Sequence, residues 1–247
     1  MNLQVSIPYQ PCVYKCPMCV ARGHKNTGTF ENLYEKDPKE WAKKLCEAAK
    51  DKSAVVITGE CDPTQNMKYV NDVARVLWNC DDFDGDIEFT THNQHFDNWG
   101  LNHCVKVITL SVTNVREYLN AWKVISNRNA IIPRTYRMVI LLTKEFDFLT
   151  PENFNTMGFD QVTFKTLQYG EDGDVNRWIY EHKMSDEQVE NIRKIVDKFN
   201  SFGECSVRLD TSCQTADGRY EIFRSDGEVY PSWEASAPIE RSAEVVS

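Results

Sequence analysis

Residues 3–19 read LQVSIPYQPCVYKCPMC, an apolar segment followed by three cysteines within eight residues. Leu3–Ile7 predicts a β-strand, because it is short and rich in branched aliphatic side chains. Cys12, Cys16 and Cys19 follow it with the spacing C-x3-C-x2-C. Three soft thiolates so close together indicate one metal centre directly after the first strand.

The rest of the chain alternates short apolar segments with amphipathic ones. The apolar segments predict six more strands, at Ala54–Thr58, Ile87–Thr91, Val105–Val112, Tyr136–Leu142, Gln161–Thr166 and Cys205–Leu209. Several are rich in β-branched residues, which is typical of strands buried on both faces of a parallel sheet.

Helices are predicted between these strands from their start signals. Asp37 precedes Pro38 at a first helical position, and the sequence from Ser185 to Gln188 forms a capping box. Thr150-Pro151 predicts a shorter helix that carries Phe154 and Met157.

This repetition predicts an α/β fold with a parallel sheet, either a partial (β/α)6-type barrel or an open doubly wound sheet. Both architectures bind ligands at the carboxyl ends of their strands. We expect a core over residues 1–209 and a C-terminal extension over 210–247. The extension contains a predicted β-hairpin, Arg219–Phe223 and Glu228–Tyr230, and we expect it to act as a substrate lid or to cover the sheet edge.

The cysteine cluster has three interpretations. A [4Fe–4S] cluster bound by three cysteines keeps one iron open for another ligand. Alternatively, His24 completes a Cys3His zinc site. The third interpretation, three unrelated buried thiols, fits the tight spacing poorly.

The C-x3-C-x2-C loop after the first strand resembles the radical S-adenosylmethionine (radical SAM) superfamily. The resemblance implies that Cys12, Cys16 and Cys19 bind a [4Fe–4S] cluster and that S-adenosylmethionine (SAM) chelates its fourth iron. One departure is Met18, where the family usually has an aromatic residue. Methionine is large and polarisable, so it still suits a residue that shields the cluster.

A second stretch, ITGECDPT at residues 57–64, is similar to the family's Gly-Gly-Glu-Pro segment, which holds the SAM amino group. Gly59 allows the backbone to approach a ligand, and the Glu60 carboxylate suits an ammonium group. Thr58 replaces the first glycine, and two residues intervene before the proline. An ordinary strand-to-helix turn has a similar composition.

Further cofactor-binding residues are implied by the resemblance at the strand ends. Ser111 and Thr113 end the fourth strand, and Thr91, with Asn93, ends the third. Arg137 lies in the fifth strand, where it serves either SAM or an internal ion pair. We interpret Cys61, Cys205 and Cys213 as inert buried thiols in preference to ligands of a second cluster, and we expect His92, His95 and His103 to be ordinary polar residues.

Composition restricts the classes of partner. The 247 residues carry a net charge of −9, which argues against a nucleic-acid partner. No segment approaches the ~20 consecutive apolar residues of a membrane span, and no signal sequence is evident. Nine cysteines, an odd number, indicate a reducing compartment in which the cysteines serve as thiols or metal ligands. We therefore expect a cytoplasmic protein.

The resemblance implies an oxygen-sensitive enzyme that cleaves SAM reductively and abstracts hydrogen from a substrate. It also implies an electron donor such as flavodoxin or ferredoxin. The compact chain favours a small-molecule or nucleotide substrate. Two alternatives stay open: a zinc-stabilised binding module that uses Cys12, Cys16, Cys19 and His24, and a non-catalytic iron–sulfur protein.

Overall fold

A computed structural model describes residues 2–19, 28–95, 100–126, 132–167, 169, 172–202, 205–211 and 220–239. In this part of the chain the strands are β1 (Asn2–Ile7), β2 (Ala54–Gly59), β3 (Asp86–Thr91), β4 (Val105–Val112), β5 (Thr135–Leu142), β6 (Gln161–Thr166), β7 (Ser206–Asp210), β8 (Tyr220–Phe223) and β9 (Val229–Tyr230). The helices are α1 (Leu33–Lys36), α2 (Pro38–Ala49), α3 (Met67–Trp78), α4 (Val115–Asn120), α5 (Trp122–Ser126), α6 (Gly173–His182) and α7 (Asp186–Phe202), with 3-10 turns at Pro63–Asn66 and Lys144–Phe146. The seven strands predicted from the apolar segments are confirmed to within one residue at each end.

The strands form one sheet in the order β7-β6-β5-β4-β3-β2-β1-β8-β9. In this order, each strand from β7 through β1 to β8 is parallel to its neighbours. The last strand, β9, is antiparallel to β8. From β1 to β7 the strands follow one another in sequence order, without the reversal of a doubly wound sheet. The α/β class and the mostly parallel sheet are confirmed, and this order is compatible with the predicted partial barrel.

The two faces of the sheet differ in character. In β5, buried side chains alternate with partly exposed ones, and β3 shows the same alternation. The buried set packs into the core with α2 and α3. The expectation of strands buried on both faces is therefore wrong for β3 and β5, because side chains on their second face, such as Glu88 and Arg137, stay partly exposed.

Two of the predicted helix starts are confirmed, and one predicted helix is absent. The Asp37 carboxylate caps α2 by accepting the amides of Lys39 and Glu40, and Ser185 and Gln188 exchange the two hydrogen bonds of a capping box before α7. The helix predicted after Thr150 is wrong, because that segment makes only turns. Met157 and Gly158 then have left-handed φ angles of 54° and 80°, which do not continue a helix.

The C-terminal hairpin is confirmed, but its place in the fold was not predicted. Strand β8 pairs in parallel with β1, from Asn2↔Tyr220 to Val5↔Phe223. Phe223 is completely buried in the main core. The boundary proposed between residues 209 and 210 thus divides one continuous sheet.

Cys46 of α2 and Cys80, two residues after α3, form a disulfide. The expectation that all cysteines are thiols or metal ligands is therefore wrong for Cys46 and Cys80. The packing of α2 against α3 places the two Cα atoms 5.7 Å apart, which is within disulfide range. Among the described helices, none has the length and apolar character needed to cross a bilayer.

Candidate active site

A cavity of about 220 Å³ opens at the carboxyl ends of the first five strands. Its walls come from the loop after β1, the ends of β2, β3 and β4, and Leu141 of β5. Arg137 and Asn93 are not part of the cavity lining. The lining contains the other described residues predicted to bind metal or cofactor: Cys12, Cys16, Cys19, Thr58, Gly59, Glu60, Thr91, Ser111 and Thr113.

The three cysteines form one wall of the cavity. Each is partly exposed and outside any disulfide, and a turn brings the Cys19 amide to the Cys16 carbonyl at 3.2 Å. Among the described residues, no three His, Cys, Asp or Glu side chains converge as the ligands of a single metal ion do. The ligands of a [4Fe–4S] cluster need not converge in that way, because each thiolate binds a different iron. Three thiols along one cavity wall therefore suit a cluster.

Met18 closes the cavity on the side of α6. It is 9% exposed and packs against Val175 and Ile179 of that helix. Leu141 and Cys16 lie against the same apolar group. Met18 thus occupies the place of an apolar shield beside the cysteines.

Gly59 is required by the sheet itself. Its φ angle is +135°, and an added Cβ would lie 2.7 Å from the Ile7 nitrogen and 2.8 Å from the Ser6 hydroxyl oxygen. From the sequence, Gly59 was interpreted as a residue that allows a ligand to approach the backbone. That interpretation is incomplete. The close approach in the structure is that of β1.

We expect Gly59→Ala to lower the free energy of unfolding by about 1–3 kcal/mol even without ligand, through backbone strain and the contact with β1. Gly173→Ala is the control, because an added Cβ there meets no atom within 4 Å. Urea unfolding of both variants measures the difference. Equal stability of the two variants would contradict this role for Gly59.

The Glu60 side chain is already engaged by the protein. Its Oε1 lies 3.1 Å from Arg224 Nη1, and its Oε2 accepts the Gly28 amide at 2.7 Å. Burial raises the pKa of the Glu60 carboxyl, although the Gly28 amide and the Arg224 guanidinium oppose that shift. The predicted SAM-binding role assumed that the Glu60 carboxylate has no protein partner. In the structure it is paired with Arg224 and with the Gly28 amide.

Asp62, one of the two residues that intervene before the proline, has a structural role. Its carboxylate accepts the hydroxyl and amide of Thr64, the hydroxyl of Thr91 at 2.9 Å and the amide of His92 at 2.7 Å. The residue therefore joins the end of β2 to the end of β3. Thr91 lines the cavity, but its hydroxyl donates to this carboxylate.

Glu117 of α4 organises the neighbouring wall. It accepts the Thr113 amide and hydroxyl at 2.7 and 2.8 Å, and its other oxygen lies 2.8 Å from His92 Nε2. Burial opposes protonation of the imidazole, but hydrogen bonds to the Cys16 and Glu117 side chains raise the pKa of His92 to about 10. His92 thus connects a predicted cluster ligand to α4.

Thr58 and Ser111 differ from these paired groups. Both are half-buried and line the cavity. Neither hydroxyl makes a hydrogen bond to any residue in the part of the chain that the structure describes. Among the predicted cofactor-binding residues, these two offer hydrogen-bonding groups to a ligand without first losing a protein partner.

Arg137 lies away from the cavity. Its guanidinium makes an ion pair with Glu88 at 2.8 Å and donates to Gln161 at 2.8 Å. Of the two roles considered from the sequence, the internal ion pair is present. The charge of Arg137 is thus satisfied by Glu88 of β3, and Arg137 is not part of the predicted SAM site.

Several sequence-based assignments lie outside the described residues: His24, Cys213 and Arg219. Cys61 and Cys205 are buried, as predicted. Burial raises the pKa of the Cys61 thiol to about 11, so it stays protonated at neutral pH.

No family model and no curated protein matches this sequence. The fold is similar to solved structures of anSMEcpe, an anaerobic sulfatase-maturating enzyme of the radical SAM class. The form described as native with bound AdoMet, which is SAM, has a TM-score of 0.66 and 12% identity, covering 96% of this chain and 75% of that one. The form with AdoMet and Cp18Cys peptide gives the same values, and the form with AdoMet and Kp18Cys peptide has a TM-score of 0.64 at 12% identity, with 93% and 73% covered.

This chain shares the fold of these solved structures. The likeness extends over nearly the whole chain, so the resemblance first noted in the cysteine loop is confirmed for the architecture. Within this fold, the cysteine loop, the 57–64 stretch and the ends of β3 and β4 surround one cavity.

Four polar residues of this site were not predicted from the sequence. Tyr14, Asp62 and Glu117 were given no role, and His92, which was expected to be an ordinary polar residue, lines the cavity. Tyr14 lines the cavity with its ring edge-on to His92, 5.1 Å between centroids, and burial together with Asp62 raises the pKa of its hydroxyl to about 12. A local signal existed for His92, which directly follows β3, and for Asp62, which lies three residues after the end of β2. No spacing pattern connects His92 with Glu117.

Proposed function

We propose that this protein is a radical SAM enzyme that acts on a small-molecule or nucleotide substrate. The observation that carries the proposal is the single cavity shared by the three cysteines and the predicted SAM-binding residues. The fold, which is similar to that of SAM-binding radical SAM structures, supports it.

In this proposal Cys12, Cys16 and Cys19 hold a [4Fe–4S] cluster, and SAM lies against the ends of β2 and β4. When bound, the reduced cluster supplies the electron that cleaves SAM, which yields methionine and a radical able to abstract hydrogen. The hydroxyls of Thr58 and Ser111 donate to SAM. The main chain at residues 59 and 60 forms the wall beside it.

The protein's own contribution is to position these groups and exclude water. Met18 and Leu141 supply an apolar boundary next to the cysteines. Asp62 and Glu117 fix the ends of β3 and β4 by accepting main-chain amides at 2.7 Å. These carboxylates therefore keep the cavity walls in place before any ligand arrives.

Reduction needs an external electron donor, and we propose a flavodoxin or a ferredoxin. Cys12 and Cys16 are partly exposed, and Val13 between them is 67% exposed. The loop that carries the cysteines is thus accessible to a partner protein.

Removing the two open hydroxyls tests the SAM site. We expect Thr58→Val and Ser111→Ala each to weaken SAM binding about 2- to 10-fold, which corresponds to one lost hydrogen bond of about 0.5–1.5 kcal/mol. Calorimetric titration of the cluster-loaded protein measures the affinity. Thr163→Val is the control, since Thr163 lies on the same face of the sheet but outside the cavity. Unchanged affinity in both test variants would remove these residues from the SAM site.

A further inference from the structure

Arg224 is a buried cation at the end of β8. It is 1% exposed, its Nη1 lies 3.1 Å from Glu60 Oε1, and its Nη2 donates to the Trp233 carbonyl at 2.6 Å. A buried charge costs several kcal/mol unless a partner compensates it. The Glu60 carboxylate is the compensating charge.

Three aromatic rings enclose the same guanidinium. Its central carbon lies 4.2 Å from the Phe30 ring centroid, 5.1 Å from that of Tyr230 and 5.2 Å from that of Trp233. These distances are within the range of cation–π attraction. Trp233 in turn donates its indole N–H to Gln4 of β1 at 2.8 Å. The position of Arg224 is therefore fixed from several segments of the chain.

Glu60 connects Arg224 to the wall of the cavity. Its Oε1 faces Arg224 and its Oε2 accepts the Gly28 amide, so both oxygens have protein partners. Glu60 itself lines the cavity between Gly59 and Asp62. A residue 164 positions further along the chain thus contacts the wall of the predicted SAM site.

We propose that Arg224 is a positioning residue that holds the cavity wall at residues 59–62 through Glu60. The Glu60 carboxylate then serves as the counter-ion of Arg224 and is not the ligand of the SAM ammonium group. The link to SAM rests on the proposed function, whereas the positioning is a property of the protein without ligand.

Removing one member of a buried pair leaves the other charge uncompensated, whereas removing both leaves none. The two roles of Glu60 therefore make opposite predictions for a double variant. If Glu60 is a counter-ion, neutralising Arg224 as well repairs the effect of Glu60→Gln. If Glu60 binds the SAM ammonium, the double variant stays as weak as Glu60→Gln.

The experiment compares Glu60→Gln, Arg224→Gln and the double variant. Amide hydrogen exchange at Gly28 and residues 59–62 is followed in the ligand-free protein, and SAM affinity is measured in the cluster-loaded protein. We expect each single variant to exchange at least about tenfold faster at these amides and to bind SAM about tenfold more weakly, and the double variant to return within about threefold of wild type on both measures.

Glu221→Gln is the matched control. It breaks the ion pair between Lys52 and Glu221, 2.8 Å apart, which also connects β8 to a distant segment, the loop before β2, but lies outside the cavity lining. This variant should change neither measure by more than about twofold. If Arg224→Gln does not fold, Arg224→Lys keeps the charge without the guanidinium fork and should show a smaller acceleration at the same amides.

Two results would overturn the proposal: wild-type exchange at Gly28 and residues 59–62 in the Arg224 variants, or a double variant that binds SAM as weakly as Glu60→Gln. If wild-type protein holds a cluster but binds no SAM, the proposed function fails. The exchange measurement then decides the positioning role by itself: faster exchange in Arg224→Gln that the double variant reverses supports it, and unchanged exchange refutes it.

Discussion

Cys16→Ala should lose the iron–sulfur cluster, with iron falling from about four atoms per chain to near zero after anaerobic reconstitution. Removing the Cys16 thiolate leaves two protein ligands where the proposed cluster needs three. The side chain is only partly buried, so the variant should stay folded. Iron and sulfide analysis, with the visible absorption spectrum, measures the loss.

Cys104→Ala is the matched control, because Cys104 is a buried free thiol that does not line the cavity. It should retain full iron. Stoichiometric zinc without iron in the reconstituted wild-type protein would contradict the cluster and favour the zinc-stabilised binding module.

A chain that ends at Asp210 should fail to fold. The deletion removes β8 and β9 and with them four buried hydrophobic side chains: Ile222, Phe223, Val229 and Tyr230. Burial of such side chains contributes about 1.5–3 kcal/mol each, so the total approaches the roughly 5–15 kcal/mol that stabilises a typical domain. Circular dichroism and thermal unfolding measure the outcome. A cooperative melt in the shortened chain would show that the hairpin is an appendage.

A point variant separates the packing of the hairpin from its length. Phe223→Ala should lower the free energy of unfolding by about 3–5 kcal/mol, because Phe223 is completely buried. Phe148→Ala, the same change at a residue that is 40% exposed, should cost at most about 0.5 kcal/mol. The deletion tests the fold, and the role of residues 210–247 as a substrate lid stays a prediction.

The sequence was informative wherever the deciding interaction is local. Strand lengths follow from apolar segments such as Val105–Val112, and the helix starts at Asp37 and Ser185 follow from capping groups a few residues away. The cysteine spacing is equally local. These features need no knowledge of distant partners.

The remaining features depend on contacts between distant segments. The pairing of β1 with β8 joins residues 2–5 to residues 220–223, and nothing in either segment specifies the other. In the sequence, Glu60 has no evident partner and is interpreted as a ligand group. Its partner Arg224 becomes evident only in the folded structure. The signal at Gly59 is ambiguous for the same reason, because a glycine that admits a ligand and a glycine that admits a neighbouring strand are identical in sequence.

Reductive cleavage of SAM tests the central claim most directly. The protein is reconstituted anaerobically with iron and sulfide, reduced with dithionite and incubated with SAM, with the Cys16→Ala variant as the blank. Chromatography with mass detection then follows 5′-deoxyadenosine and methionine. We predict that the wild-type protein forms 5′-deoxyadenosine and that the variant does not. An iron-loaded, reduced wild-type protein that leaves SAM intact would contradict the account and favour a non-catalytic iron–sulfur protein.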